Sequence, residues 1–230
     1  MPKAVVVLSG GLDSSVLLHY CLAQGLEVEA LSFDYGQRHV RELKAAAAVS
    51  RHRDVDHIIA PLDVLRLLAP TSALTNASIA VPEGHYEDDS MKATVVPARN
   101  LVMIALATSR AIATQAEVVA VGVHAGDHAI YPDCRAAFIN RMAMVTERVD
   151  YQVVKLLAPF LYMTKEKIVR LGAALGVPFG LTWSCYKGGA QHCGKCGTCV
   201  ERREAFALAG VSDPTIYDVD APIVDGVVTL

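Results

Sequence analysis

Short apolar runs alternate with longer amphipathic stretches along most of the chain. Val5–Leu8, Val28–Phe33 and Val55–Ala60 are rich in β-branched or bulky apolar residues and read as buried strands. Between them, Ser14–Gly25 and His39–Arg53 carry helical patterns, the first ending on a glycine. The alternation then pauses over Pro61–Val96, where periodicity is weak and Glu87–Asp89 are acidic. That stretch reads as an insertion or lid with a little helix near Val64–Leu68. Pro97 suits the first turn of a helix running to about Gln115, apolar on most sides and so expected to be central and buried. Val118–Val123 reads as a fourth strand, 124–135 as a polar loop, Ala136–Tyr151 as a helix and Val153–Leu157 as a fifth strand. Thr164 is a candidate N-cap for a helix to Gly176, and a last short helix spans about Val200–Ala209. Strands and helices alternating at this spacing predict an α/β fold: a parallel five-stranded sheet with helices on both faces. The expected organisation is an α/β domain over 1–180, a small segment with a short helix over 181–210, and a tail over 211–230.

Composition narrows the class. A hydrophobic share of 53% over 230 residues supports a sizeable core, and charged residues at 20% exclude a disordered chain. A formal net charge of −3 argues against gripping a polyanion by bulk charge; Arg51–Arg53 is only a short basic spot. No direct nucleic-acid partner is expected. The N-terminal apolar run is too short for a signal peptide, and none elsewhere approaches the roughly 20 residues that span a bilayer. A soluble cytoplasmic protein is expected.

The most informative break in the pattern is Ser9-Gly10-Gly11-Leu12-Asp13-Ser14-Ser15, between the first strand and its helix. Ligands of open α/β sheets bind at the C-terminal edge where this turn falls. Two glycines let a ligand approach the backbone, successive N–H groups can cradle an anion, and the helix adds the positive end of its dipole. A tight turn with a serine cap is the plainer reading. The spacing is neither Gly-x-x-x-x-Gly-Lys-Ser/Thr nor Gly-x-Gly-x-x-Gly. Ser-Gly-Gly-x-Asp-Ser resembles instead the pyrophosphate loop of enzymes that cleave ATP between its α and β phosphates. The resemblance implies an adenylated intermediate, with Asp13 orienting Mg2+ on the phosphates.

Cys185, Cys193, Cys196 and Cys199 follow the spacing C-x7-C-x2-C-x2-C. Four thiolates in a reducing compartment suit tetrahedral Zn2+. Disulfides or simple burial, and an iron–sulfur cluster, are the alternatives. His192 could replace one ligand, although its place beside Cys193 suits a neighbour better.

Three further stretches, Val96-Pro97-Ala98-Arg99-Asn100, Gly126–Arg135 and Trp183–Phe206, combine with the loop. From residue 4 to about 217 the chain resembles the 7-cyano-7-deazaguanine synthases of the queuosine pathway. The resemblance implies conversion of 7-carboxy-7-deazaguanine, ammonia and ATP to the 7-cyano base, with AMP and pyrophosphate released, and a homodimer. It implies zinc at the four cysteines and ATP along Leu8, Ser9, Gly10, Gly11, Leu12, Asp13, Ser14, Ser15, Val16, Leu17 and Leu18. With no fused glutaminase in the sequence, nitrogen is expected to arrive as free ammonia.

Other assignments rest on chemistry and position. Arg99, near the start of a helix at the functional edge, could bind a phosphate or the substrate carboxylate, or form a structural ion pair. Lys187, beside the cysteines, could neutralise phosphate charge or stand in solvent. Asn100, Asp127, Tyr131, Asp133 and Arg135 are candidates to read the base, a carboxylate accepting two N–H bonds and a phenol ring stacking, against a polar loop that satisfies itself. Asp34, Tyr35, Gln37 and Arg38 extend the edge where the nucleoside would lie. Cys21 reads as core; Cys134 reads as a packing or contact residue, with a nucleophile as the alternative. Rival functions are another adenylating enzyme, such as a tRNA thiolase or an amidotransferase-type synthetase, and a non-catalytic zinc-bearing binding protein.

Overall fold

The structure, a computed structural model, describes residues 1–218. The last part of the predicted tail, 219–230, lies outside the described residues. The strands are β1 (Lys3–Val7), β2 (Glu27–Asp34), β3 (Asp56–Pro61), β4 (Val118–Ala120) and β5 (Lys155–Leu157). The helices are α1 (Leu12–Ala23), α2 (Arg41–His52), α3 (Val64–Leu68), α4 (Arg99–Ala113), α5 (Ala136–Thr146), α6 (Lys165–Ala174) and α7 (Gly197–Ala209). The strands form one parallel sheet in the order β3-β2-β1-β4-β5.

The period-two alternation of strand side chains sorts the core into two faces. Val6, Ala30 and Ala120, aligned across three strands, pack with Val16, Ala46, Ile168 and Phe206 from α1, α2, α6 and α7. Val5, Leu31 and Val119 pack on the opposite face with Leu65, Ala107 and Ala111 from α3 and α4. Glu29 also points to that face, where Arg110 of α4 grips it with two hydrogen bonds of 2.6 and 2.9 Å. The predicted α/β class is thus the observed one.

Several boundaries differ from expectation. The fourth helix does not start at Pro97, because Ala98 takes a left-handed backbone (φ 56°) and the helix begins after it. It is one-sided rather than central: it buries Ile104, Ala107, Thr108 and Ala111 and leaves Leu101 and Leu106 exposed. The fifth helix stops at Thr146, short of Tyr151. Thr164 occupies the N-cap position of α6, yet its side chain makes no cap hydrogen bond. The last helix starts at Gly197, so Cys199 lies in its first turn. Among the described residues no helix is long and apolar enough to cross a membrane.

The insertion holds α3, where a little helix is expected, and a short 3-10 helix over Asp89–Thr94; its remaining turns pack on the cysteine segment. Ala73 and Val81 share a buried cluster with Cys185, Cys196 and Cys199, and the Gly84 N–H donates to the Lys195 carbonyl at 3.1 Å. One nitrogen of Arg38 donates to the carbonyls of Asn76, Ala77 and Ile79 and ties the segment to the β2 edge.

Candidate active site

In this strand order the chain leaves β1 toward β2 on one side, and β4 lies on the other. The C-terminal ends of β1 and β4 therefore form the crevice where open α/β sheets bind ligands. A cavity of about 210 Å3 opens there.

The turn after β1 forms its floor. Gly10 has φ +83°, and a Cβ on it would stand 2.1 Å from the Glu42 carbonyl oxygen, so only glycine fits against α2. A Cβ on Gly122, at the end of β4, would come within 3.3 Å of the Asp13 and Ser14 backbone. The serines fix the turn itself: Ser14 Oγ accepts from the Ser9 N–H at 3.2 Å, and Ser15 Oγ donates to the Gly11 carbonyl at 2.7 Å. Trp183 N–H donates to the Gly10 carbonyl at 2.9 Å, which brings the cysteine segment onto the turn. Of the predicted nucleotide stretch, Leu8, Ser9, Gly11, Leu12, Asp13 and Ser14 line the cavity. Gly10 and Ser15 shape the turn from behind, and Val16, Leu17 and Leu18 are fully buried in the core.

Asp13 meets a cluster that the sequence reading missed. Lys165 Nζ lies 2.7 Å from Asp13 Oδ2, 3.0 Å from Glu201 Oε2 and 3.2 Å from His124 Nε2. Burial alone would raise the Asp13 pKa, but Lys165 and His124 outweigh it and hold the carboxyl below its ordinary range. Burial likewise disfavours the Lys165 charge, and Asp13 and Glu201 reverse this, so the ammonium stays protonated. Lys165 had a positional signal: it opens the helix that follows β5, at the same sheet edge.

The opposite wall is phenolic. Tyr35, Tyr86, Tyr131 and Tyr186 all line the cavity, and burial raises the pKa of each, keeping them neutral. Among them lies the Arg99 guanidinium, 3.5 Å from the Tyr35 hydroxyl oxygen to which it donates. Tyr86 donates to Asp127 Oδ1 at 3.0 Å, and Tyr131 shares a 2.7 Å hydrogen bond with Thr94.

The other predicted residues divide. Asn100, Asp127 and Tyr131 line the cavity; Asp133, Arg135 and Lys187 do not. Asp133 Oδ2 accepts from the Asn100 backbone N–H at 3.0 Å, joining the start of α4 to the loop after β4. Arg135 donates to the His128 carbonyl at 2.8 Å, and Lys187 pairs with Glu83. Cys21 is core, its thiol pushed up to about 12 by burial. Cys134 is also buried, accepts from Asn100 Nδ2 at 3.1 Å and has its thiol pKa raised by burial, the reverse of an activated nucleophile.

A second centre adjoins the cavity. The sulfurs of Cys185, Cys193, Cys196 and Cys199 all lie within 4.8 Å of one another. A tetrahedron with metal–sulfur bonds of about 2.3 Å has edges of roughly 3.8 Å, so one ion fits this set. His192 is not part of it: its Nε2 accepts from the Ser184 N–H at 3.0 Å, and burial pushes its pKa down to about 4.

An open parallel sheet with a glycine-serine-aspartate turn at its switch point defines a doubly wound α/β protein with its candidate site at the C-terminal edge of the strands. Two solved structures share this fold: NMN synthetase from Francisella tularensis (TM-score 0.51, 15% identity, 96% of this chain and 80% of that one) and a predicted tRNA methyltransferase subunit from Methanocaldococcus jannaschii (TM-score 0.50, 17% identity, 98% and 97%). The chain belongs to the family described as queuosine biosynthesis protein QueC, which matches residues 3–210, and it is an enzyme. It is 50% identical over 216 residues to the 7-cyano-7-deazaguanine synthase of Marinobacter nauticus, covering 94% of this chain and 97% of that protein. It is 51% identical over 218 residues to the protein of the same name from Caldicellulosiruptor saccharolyticus, covering 95% and 96%.

Proposed function

We propose that the chain converts 7-carboxy-7-deazaguanine, ammonia and ATP into 7-cyano-7-deazaguanine, releasing AMP and pyrophosphate. The observation that carries this reading is the meeting, in one cavity, of the Ser9–Ser14 turn with the Arg99 guanidinium and the Asp127–Tyr131 wall. The backbone of the turn would hold the phosphates. Arg99, surrounded by neutral phenols, would take the substrate carboxylate, while Asp127 and Tyr131 face the flat base.

Two removals of oxygen from one carbon are required. The carboxylate oxygen attacks the α-phosphorus and pyrophosphate departs. Ammonia then displaces AMP and gives up a proton, leaving the amide. The amide oxygen attacks the α-phosphorus of a second ATP. Loss of AMP together with the remaining nitrogen protons yields the nitrile. Lys165, beside the turn, would offset charge that develops on the phosphates. When bound, magnesium supplies charge neutralisation between carboxylate and phosphate, and Asp13, whose Oδ1 is buried without a hydrogen-bond partner, fits that role. Zinc supplies a closed structural tetrahedron at the four cysteines.

Supplying carboxydeazaguanine, ammonium and ATP should give AMP and pyrophosphate; ADP and phosphate would overturn the reading. Metal analysis should find about one zinc per chain, with no absorption near the roughly 400 nm expected of an iron–sulfur cluster. Cys134→Ser should retain turnover, since no covalent thiol is needed. A cytoplasmic homodimer, taking small-molecule substrates without contacting nucleic acid, completes the reading; sedimentation of the purified protein tests the dimer.

A further inference from the structure

Glu201 has no role in the reaction as described, yet it joins the two centres. It sits on α7, two residues beyond the metal-ligating candidate Cys199. Two residues on a helix turn the side chain by roughly 200°, so when Cys199 faces the sulfur cluster, Glu201 faces the other way, toward α6. There its side chain is buried, with Oε2 at 3.0 Å from Lys165 Nζ and Oε1 at 3.7 Å from His124 Nε2. Gly126 leaves the room for it: a Cβ on that residue would stand 3.0 Å from Glu201 Oε1.

The Lys165 ammonium therefore lies between two carboxylates of different origin. Asp13 comes from the turn after β1 and lines the cavity; Glu201 comes from the metal helix and stands behind. Lysine is a flexible stem with a compact charge. Paired with Asp13 alone, its ammonium would follow that carboxylate or swing into the cavity. A second carboxylate on a separate helix fixes where the charge sits. An ion pair this buried is poor value for stability alone, since apolar residues of similar volume often serve as well. Its place against a cavity-lining cation suits a positional role.

We propose that Glu201 is a positioning residue for the nucleotide site, holding Lys165 against the turn after β1, and that the cysteine module acts on the site through it. The inference rests on the reading of that turn as a phosphate site. Glu201→Gln keeps the shape and removes the charge. In the metal-loaded protein it should leave metal content and thermal midpoint near those of the wild type. Acetylation of Lys165, followed by mass spectrometry, should rise at least fivefold, with other lysines within twofold. Turnover should fall at least tenfold, with KM for the base within threefold, and Glu201→Asp should recover part of it. Unchanged Lys165 labelling in Glu201→Gln would overturn the inference. So would losses in both variants that merely follow loss of metal and thermal midpoint. If the wild type makes no nitrile, the functional reading fails, and the labelling still decides the inference.

Discussion

Asp13 and Lys165 stand 152 positions apart in the chain, and their charged atoms meet at 2.7 Å. One belongs to the turn that starts the fold, the other to the first residue of α6. Only the parallel sheet, which gathers every strand's C-terminal end on one edge, brings them together.

Lys165→Met should therefore damage both catalysis and stability. It leaves the Asp13 and Glu201 carboxylates without their shared cation, and removing one partner of a buried ion pair costs about 3–5 kcal/mol. Loss of a charge beside the reacting phosphates should lower turnover by about 10²–10³-fold. AMP release assays and urea unfolding check the two effects separately. Turnover within threefold of the wild type would remove Lys165 from the site.

The sequence made the scaffold legible because burial imposes period. Val5–Val7 and Val28–Phe33 sit at the centre of the sheet and carry β-branched or bulky residues toward both faces. The turn at Ser9–Ser15 was legible for the complementary reason, as a polar gap between two apolar runs. Glu201 and Lys165 were not, because a polar residue on an amphipathic helix looks the same whether it faces water or a buried partner. The start of α4 was misplaced because Ala98 adopts a backbone that glycine favours and no proline rule anticipates. Lys187 lies near the cysteines along the chain, and in the fold its partner is Glu83, a pairing that no spacing in the sequence announces.

Gly10→Ala tests the tightness of the turn. A methyl there would overlap the Glu42 carbonyl oxygen, and φ +83° strains any residue bearing a Cβ. The cost should exceed about 1 kcal/mol, with the turn displaced from α2 and ATP binding weakened. Calorimetric titration with a non-hydrolysable ATP analogue, beside a thermal melt, reads both. Unaltered affinity and melting would show that the turn has room to spare.

Arg99→Gln separates two uses of one guanidinium. Charge-assisted hydrogen bonds are worth about 1.5–3 kcal/mol, so losing a carboxylate contact should raise KM for the carboxy base by about 10- to 100-fold. The affinity for ATP should hold. The reverse pattern, with ATP affinity lost and KM for the base preserved, would assign Arg99 to a phosphate.

Asp213 gives a pH dependence of known sign. Arg202 is fully buried and lies 3.2 Å from Asp213 Oδ1, and Tyr217 donates to Asp213 Oδ2 at 2.6 Å. Burial would raise the Asp213 pKa, but Arg202 and these hydrogen bonds hold it below the ordinary carboxylate value. A carboxyl depressed in the folded state stabilises it above the unfolded pKa of about 3.9 and loses that contribution as pH falls through the folded value. Asp213→Asn leaves the buried guanidinium unpaired and should cost about 3 kcal/mol at pH 7. The gap between wild type and variant should persist at pH 5 and narrow by pH 3, below the unfolded carboxyl pKa of about 3.9, where the unfolded wild type takes up a proton that the folded carboxylate resists. Any effect of acid at the four cysteines is common to both proteins, so the difference between their urea midpoints isolates Asp213. A gap that stays constant down to pH 3 would mean that the carboxylate charge is not what holds Arg202 in place.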